Sequence, residues 1–292
     1  MISLSKIKDS DAVKTFLFAS TSAKILTLLG LAIVLILISF IIFGYQLIPY
    51  DPLQMSENIL GPPSAQNLMG TDSLGRDLYS RLIIGTKYSL GISLISVGLG
   101  IVVGVLLGSL SGYFGGILDR FLVLIMDSLN IFPEFIIILL ISVILGPGIW
   151  QTAMAMTFGW TPGNFRLIRS LTLSVKKRGF IEAEVILGAT NWHIILKYIA
   201  PYFLSVLFVT LSLGMARGTL AVAGLGFLGL GIPPPTPEWG TELAIGRQFL
   251  LSGAWWLVMF PGLFVMMAML GFNLLSEGLD EIFNPTMSRL KR

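Results

Sequence analysis

From Ile25 to Ile48 the chain reads ILTLLGLAIVLILISFIIFGYQLI, without one Asp, Glu, Lys, Arg or His. Coiled as a helix, such a run is apolar on every face, so it has no polar side to turn toward water. About 20 apolar residues match the ~30 Å hydrocarbon core of a bilayer. In that medium the backbone must satisfy its own polar groups, and unbroken runs without a period of two point to helices.

Further runs predict six membrane helices in all, at about 25–48, 88–112, 119–145, 149–170, 202–228 and 254–275. The fold class expected is therefore all-α and polytopic. Composition agrees, since 54% of the 292 residues are hydrophobic and only 12% are charged, about half the charge of an ordinary soluble domain. A formal charge of +3, with the cations near span ends, offers no basic stripe for nucleic acid. Without cysteine, thiolate metal sites and disulfides are excluded. Lys6, Lys8, Lys14 and Lys24 resemble the start of a signal peptide. The following run is too long for an h-region and has no small-residue cleavage site after it, so it is expected to stay as an anchor.

The cations also set an orientation. Lys6, Lys8, Lys14, Lys24, Arg120, Arg166, Arg169, Lys176, Lys177, Arg178, Lys197, Arg289, Lys291 and Arg292 fall on one set of loops, fourteen in number, against four on the other, Arg76, Arg81, Lys87 and Arg247. Positive loops stay inside, which predicts both termini in the cytoplasm. One membrane domain is expected over residues 1–292, with cytoplasmic tails at 1–24 and 276–292, an extracytoplasmic loop at 49–87 and a cytoplasmic loop at 174–200. The turn GIPPPTPEWGTEL, Gly231 to Leu243, lies outside, and its prolines predict a stiff, non-helical segment.

Within the spans, Gly100, Gly104, Gly108 and Gly112 recur every four residues and predict a stripe where another helix approaches closely. On the third span Asp127, Asn130 and Glu134 are spaced i, i+3 and i+7, hence on one helix face beside Pro133, which can bend the helix. Charge at the centre of a bilayer costs about 2.5–3.5 kcal/mol. That face is therefore expected to look into the bundle or a wet pathway, with Arg217 of the fifth span as a candidate counter-ion.

FIEAEVILGATNWHIILKYIAP, Phe180 to Pro201, is a different kind of segment, polar and helix-forming between spans. Gly188 can supply a left-handed turn, and Thr190 or Asn191 can cap a second helix running to Ile199. The stretch resembles the EAA loop of permease subunits in ABC importers, through Glu182, Ala183, Gly188, Ile199 and Pro201, while Glu184 and Ala200 depart from the pattern. GTDSLGRD at 70–77, GFLGLGIPPPTPEWG at 226–240 and FNLLSEGLDEIFNP at 272–285 are similar to signatures of the dipeptide, oligopeptide and nickel importers, in the C-type permease. Val222 stands where that family often has an acid, and Gly226 where it has a serine.

The resemblance implies a type I ABC importer transmembrane domain in the cell membrane, paired with a homologous permease and importing peptides by alternating access. Oligosaccharides or nickel chelates are the related cargoes. It further implies an extracytoplasmic substrate-binding protein and two cytoplasmic ATPase subunits or domains, which would carry the ATP and magnesium. Residues 180–201 would be the coupling loop, and Asp72, Arg76, Asp77, Pro235, Glu238 and Trp239 candidate contacts for an outside partner. The chain itself carries no Gly-x-x-x-x-Gly-Lys-Ser/Thr loop, one histidine, His193, and no nucleophile–base or metal-ligand spacing, so no enzymatic chemistry or cofactor is expected in it. A self-sufficient ion-coupled transporter or channel, using Asp127, Glu134 and Arg217, is the reading from another class.

Overall fold

Asp77 starts the longest helix. Its carboxylate accepts from the Ser80 backbone N–H at 2.9 Å and the Ser80 hydroxyl at 2.7 Å, an N-cap that satisfies donors the helix cannot. In the computed structural model, which describes residues 21–283, this helix is α2, Leu78–Phe114. It follows α1, Thr21–Leu47. At 1.5 Å per residue its 37 residues run ~56 Å, well beyond the hydrocarbon core. Its first turns, Leu78 to Thr86, are accordingly buried under loops instead of crossing lipid.

After α2 come α3, Gly116–Asn130, and α4, Glu134–Leu145. Then follow α5, Ile149–Lys176, and the short α6, Gly179–Ile186. A one-turn α7, Asn191–His193, leads through a π-wound Ile194–Ile199 and a 3-10 turn Ala200–Phe203 into α8, Leu204–Phe227. The described residues end in α9, Trp239–Gly246, a 3-10 turn Arg247–Ser252, and α10, Trp256–Phe283. Among the described residues the only β pairing is an isolated bridge between Thr71 and Asp77.

Among the described residues four helical stretches are long and apolar enough to cross a membrane, Thr21–Leu47, Leu78–Phe114, Asn191–Phe227 and Trp256–Ile282. The expected third span is broken. α3 and α4 meet at 89°, with Pro133 at ψ 132°, outside the helical region, between them. Counted as one crossing, the pair makes five. α5 has the length, at 28 residues, but Gln151, Asn164, Arg166 and Arg169 dilute it, so six crossings are not reached on length and composition. At the far end α10 runs on through residues 276–283, expected as tail.

Glycines bring α2 and α5 together. A methyl at Gly104 would lie 2.5 Å from the Asn164 Cβ, at Gly108 2.7 Å from the Phe165 carbonyl, at Gly112 2.8 Å from the Thr172 Cβ, and at Gly100 2.7 Å from the Trp160 Cβ. The expected stripe is thus the seam of the molecule's main helix pair. α10 packs on α1 and α8, and three apolar cores follow. One lies under the loop at the head of α2, around Trp239 and Trp256. A second joins α2, α5 and α8 in mid-bundle, and a third, around Ile194, Ile199 and Phe203, supports the α6–α7 loop.

Candidate functional site

α6 ends in a hydrogen-bonded reversal. Gly188 has φ +81°, its N–H donates to Val185 O at 3.0 Å, and the Ala189 N–H donates to Glu184 O at 3.0 Å. This pair of bonds closes a Schellman motif, whose turning residue needs the left-handed region that glycine enters at least cost. Thr190 then caps α7, its hydroxyl accepting from the His193 N–H at 3.4 Å. Asn191, the other candidate cap, instead accepts from the Tyr113 hydroxyl at 2.9 Å and so ties the loop to the end of α2. The expected helix, turn and helix are present, although the second arm is π-wound, with the Ala200 N–H donating to Ile195 O.

The loop has two unlike faces. Ile181, Ile194, Ile195 and Ile199 are buried against Tyr113, Ile168 and Val175. Ile186 and Leu187 are 85% and 79% exposed, and Val185, Trp192 and Leu196 are exposed beside them. Glu182, Ala183 and Pro201 are also exposed. Glu184, the departure from the family pattern, bridges the two arms by accepting from the Tyr198 hydroxyl at 2.5 Å. His193 is exposed and lies edge-on to the Tyr198 ring at 5.8 Å. The basic run beside the loop is engaged with the chain. Lys176 Nζ donates to Tyr113 O at 2.5 Å, and Arg178 covers the Tyr202 ring at 4.9 Å.

At the opposite end of the bundle the sequence candidates turn out to be buried. Asp72 accepts from the Leu74 and Arg76 backbone N–H groups at 2.8 and 2.9 Å and pairs with Arg76 Nε at 2.7 Å. Arg81, fully buried, donates to Glu242 at 2.5 Å and to Pro52 O at 2.9 Å. It thereby fastens the α1–α2 loop and α9 to the head of α2. Glu238 caps α9, taking the Gly240 and Thr241 N–H groups at 2.9 Å each and the Ser89 hydroxyl at 3.0 Å. Burial pushes its carboxyl pKa up, and these donors pull the other way without prevailing. The Trp239 indole N–H donates to Leu82 O at 3.1 Å.

Asp72, Arg76, Asp77, Glu238 and Trp239 are each at most 4% exposed. They build the fold and present no side chain to an outside partner here, whereas Pro235 is exposed. Also corrected is the non-helical turn, because Trp239 to Leu243 form the start of α9. The prolines stop short of Glu238, whose capping carboxylate starts the helix.

The polar face of the third span is corrected too. The break before Glu134 puts that residue on α4, off the face shared by Asp127 and Asn130. Asp127 pairs with Arg166 of α5 at 2.7 Å, not with Arg217. Asn130 bonds back to Met126 O of its own helix at 3.1 Å. Arg217 acts on Glu134 at longer electrostatic range. Asp127, Glu134 and Arg217 therefore do not converge into one ion site.

Sequence reasoning missed the stronger pair, Arg169 with Asp119, bidentate at 2.6 and 2.7 Å, which the Ser111 hydroxyl joins. The signal was available, since two acids on α3, Asp119 and Asp127, face two arginines of α5, Arg169 and Arg166. Val222 is buried in the mid-bundle core, and at Gly226 a methyl would overlap the Glu238 carboxylate.

Residues 100–289 match the family model described as binding-protein-dependent transport system inner membrane component. The chain is 36% identical to the di/tripeptide transport system permease protein DppC of Pseudomonas aeruginosa, covering 88% of this chain and 87% of that one. It is 34% identical to the probable D,D-dipeptide transport system permease protein DdpC of Escherichia coli, over 89% and 87%. In fold it is similar to the inward-facing MetNI methionine ABC transporter, with a TM-score of 0.51 at 19% identity over 68% of this chain and 95% of that one. With its all-helical bundle and its Schellman-turned loop, the chain belongs to the binding-protein-dependent transport system inner membrane components, the permeases of ABC importers.

Proposed function

We propose that the chain forms half of the translocation pathway of an ATP-driven importer of peptides, working by alternating access. The observation that carries this is the exposed apolar tip of the α6–α7 loop. Ile186 and Leu187 are uncovered by the chain's own atoms, yet Lys176, Lys177, Arg178 and Lys197 flank them. Such a mixture suits neither water nor hydrocarbon and fits a groove in a partner protein. That partner is the cytoplasmic ATPase, which holds the ATP and magnesium. Two ATPase subunits or domains closing together would draw the loops together and change the side to which the pathway opens. Turning a 1:99 preference into 99:1 takes about 5.5 kcal/mol, so the loop must transmit force without bending, as its anchored inner face allows.

The same reading supplies the other partners. Glu134 and Arg217 are exposed on the isolated chain among exposed apolar residues such as Phe135 and Leu220. Hydrocarbon is a costly neighbour for them, and a homologous permease in a heterodimer would cover them. Peptide as cargo, delivered by an extracytoplasmic binding protein, follows the dipeptide permeases to which the chain is similar. The excess of Lys and Arg on one set of loops supports both termini in the cytoplasm.

The test compares wild type with Gly188→Val and Ile186→Asp at matched membrane abundance. ATPase co-purification and substrate-stimulated hydrolysis should both fall. Wild-type values in both variants would make the loop a solvated connector. Mass spectrometry of ligand bound to the co-expressed binding protein checks the cargo. An impermeant thiol reagent on Ser174→Cys and Thr236→Cys, in a chain without native cysteine, checks orientation, and only the second should react from outside.

A further inference from the structure

Between α1, α2, α8 and α10 runs a crevice of about 570 Å³ that includes Val34, Ile38, Leu94, Met215 and Phe272 in its walls and Lys87 at one end. Its hydroxyl at Ser212 is already spent on Phe208 O at 3.0 Å, so the walls offer hydrocarbon contact and little else. From Lys87 to Ile95 the crevice follows α2 for ~12 Å at 1.5 Å per residue, close to the depth of one leaflet of a ~30 Å core.

Lys87 differs from every other cation at its end of the bundle. Arg76 is paired with Asp72, Arg81 with Glu242, and Arg247 lies over the Phe227 ring at 4.7 Å. Among the described residues Lys87 is exposed and has neither an ion pair nor a hydrogen bond from its side chain. It directly precedes the apolar run of α2, at the depth where a lysine stem lies along apolar surface and its ammonium reaches the headgroups. Tyr88 beside it is a residue type concentrated at that level.

We propose that this crevice is a binding site for an anionic phospholipid of the surrounding leaflet, one acyl chain lying along α2 and the phosphodiester paired with Lys87 Nζ. Apolar walls select a chain but not a headgroup, so the single unpartnered cation at the mouth is what gives the site its preference for negative charge.

Native mass spectrometry tests this on the full-length chain, purified with the subunits that accompany it and titrated with phosphatidylglycerol or phosphatidylcholine of identical chains. Wild type should retain phosphatidylglycerol about fivefold better, the worth of one basic side chain at an anionic surface. Lys87→Gln should erase that preference and leave phosphatidylcholine adducts unchanged. Gly91 lies in the crevice wall, and a Cβ there meets nothing within 4 Å. Gly91→Leu should therefore fill the space without a backbone clash and lower retention of both lipids.

No headgroup preference in wild type, or a preference that survives Lys87→Gln, overturns the proposal. So does a benzophenone maleimide on Gly91→Cys that crosslinks in membranes to another polypeptide instead of to lipid. None of these readouts depends on ATPase coupling, so the site and the transport reading fail separately.

Discussion

Gly104→Ala adds one methyl group at the tightest point of the α2–α5 seam. The new Cβ would sit 2.5 Å from the Asn164 Cβ, and 3.0 Å from both the Asn164 carbonyl carbon and the Phe165 nitrogen. Carbon pairs rest at about 3.5–4.0 Å, so the helices must part by ~1 Å or more. Backbone on the α5 side cannot swing aside as a flexible side chain would. Parting forfeits a quarter to a half of the attraction in each contact along the seam, and overpacking of this kind costs about 1–3 kcal/mol.

Gly98→Ala on the same helix is the control, because a Cβ there meets nothing within 4 Å. It should be neutral or stabilise by up to about 1 kcal/mol, through the helix preference for alanine over glycine. Size-exclusion chromatography after graded heating in detergent reads both midpoints. The expected result is a drop for Gly104→Ala, on the order of 2–10 °C, and none for Gly98→Ala. Equal shifts for the two variants would refute the argument that contact, and not helix propensity, decides the stripe.

Arg81→Met should strip Glu242 of its ion pair in a buried site and cost about 3–5 kcal/mol, measured as lost monodisperse protein; Arg81→Met with Glu242→Leu should recover part of it. Tyr198→Phe and Glu184→Ala each remove the bond between the arms of the loop, and both should weaken ATPase co-purification while membrane abundance holds. Gly226→Ala places a methyl into the Glu238 carboxylate, so it should lower the thermal midpoint, whereas the nearby Gly229→Ala, which meets no neighbour but sits at φ +78°, should cost only about 1–2 kcal/mol of backbone strain.

What the sequence decided alone was whatever follows from local periodicity and solvent. Uninterrupted apolar runs leave the backbone no partner but itself, so the helices and their approximate limits were legible, α1 at Thr21–Leu47 against an expected 25–48. So was the loop reversal, because a left-handed φ at Gly188 is a property of one residue and its neighbours. The glycine stripe was legible as a face, since i, i+4 spacing fixes which residues share one. Its partner was not, because nothing local to α2 names α5.

Everything that depended on pairing across the chain waited for the tertiary structure. Asp72, Arg76, Asp77 and Glu238 look like exposed loop chemistry until α9 and the head of α2 enclose them. Enclosure turns a charge into an obligation to find a partner, and Arg81 meets Glu242 across 161 positions of sequence. The third span failed for the same reason in reverse. The break at Pro133 separates Asp127 from Glu134, and Asp127 pairs with Arg166, the arginine that packing brings within 2.7 Å.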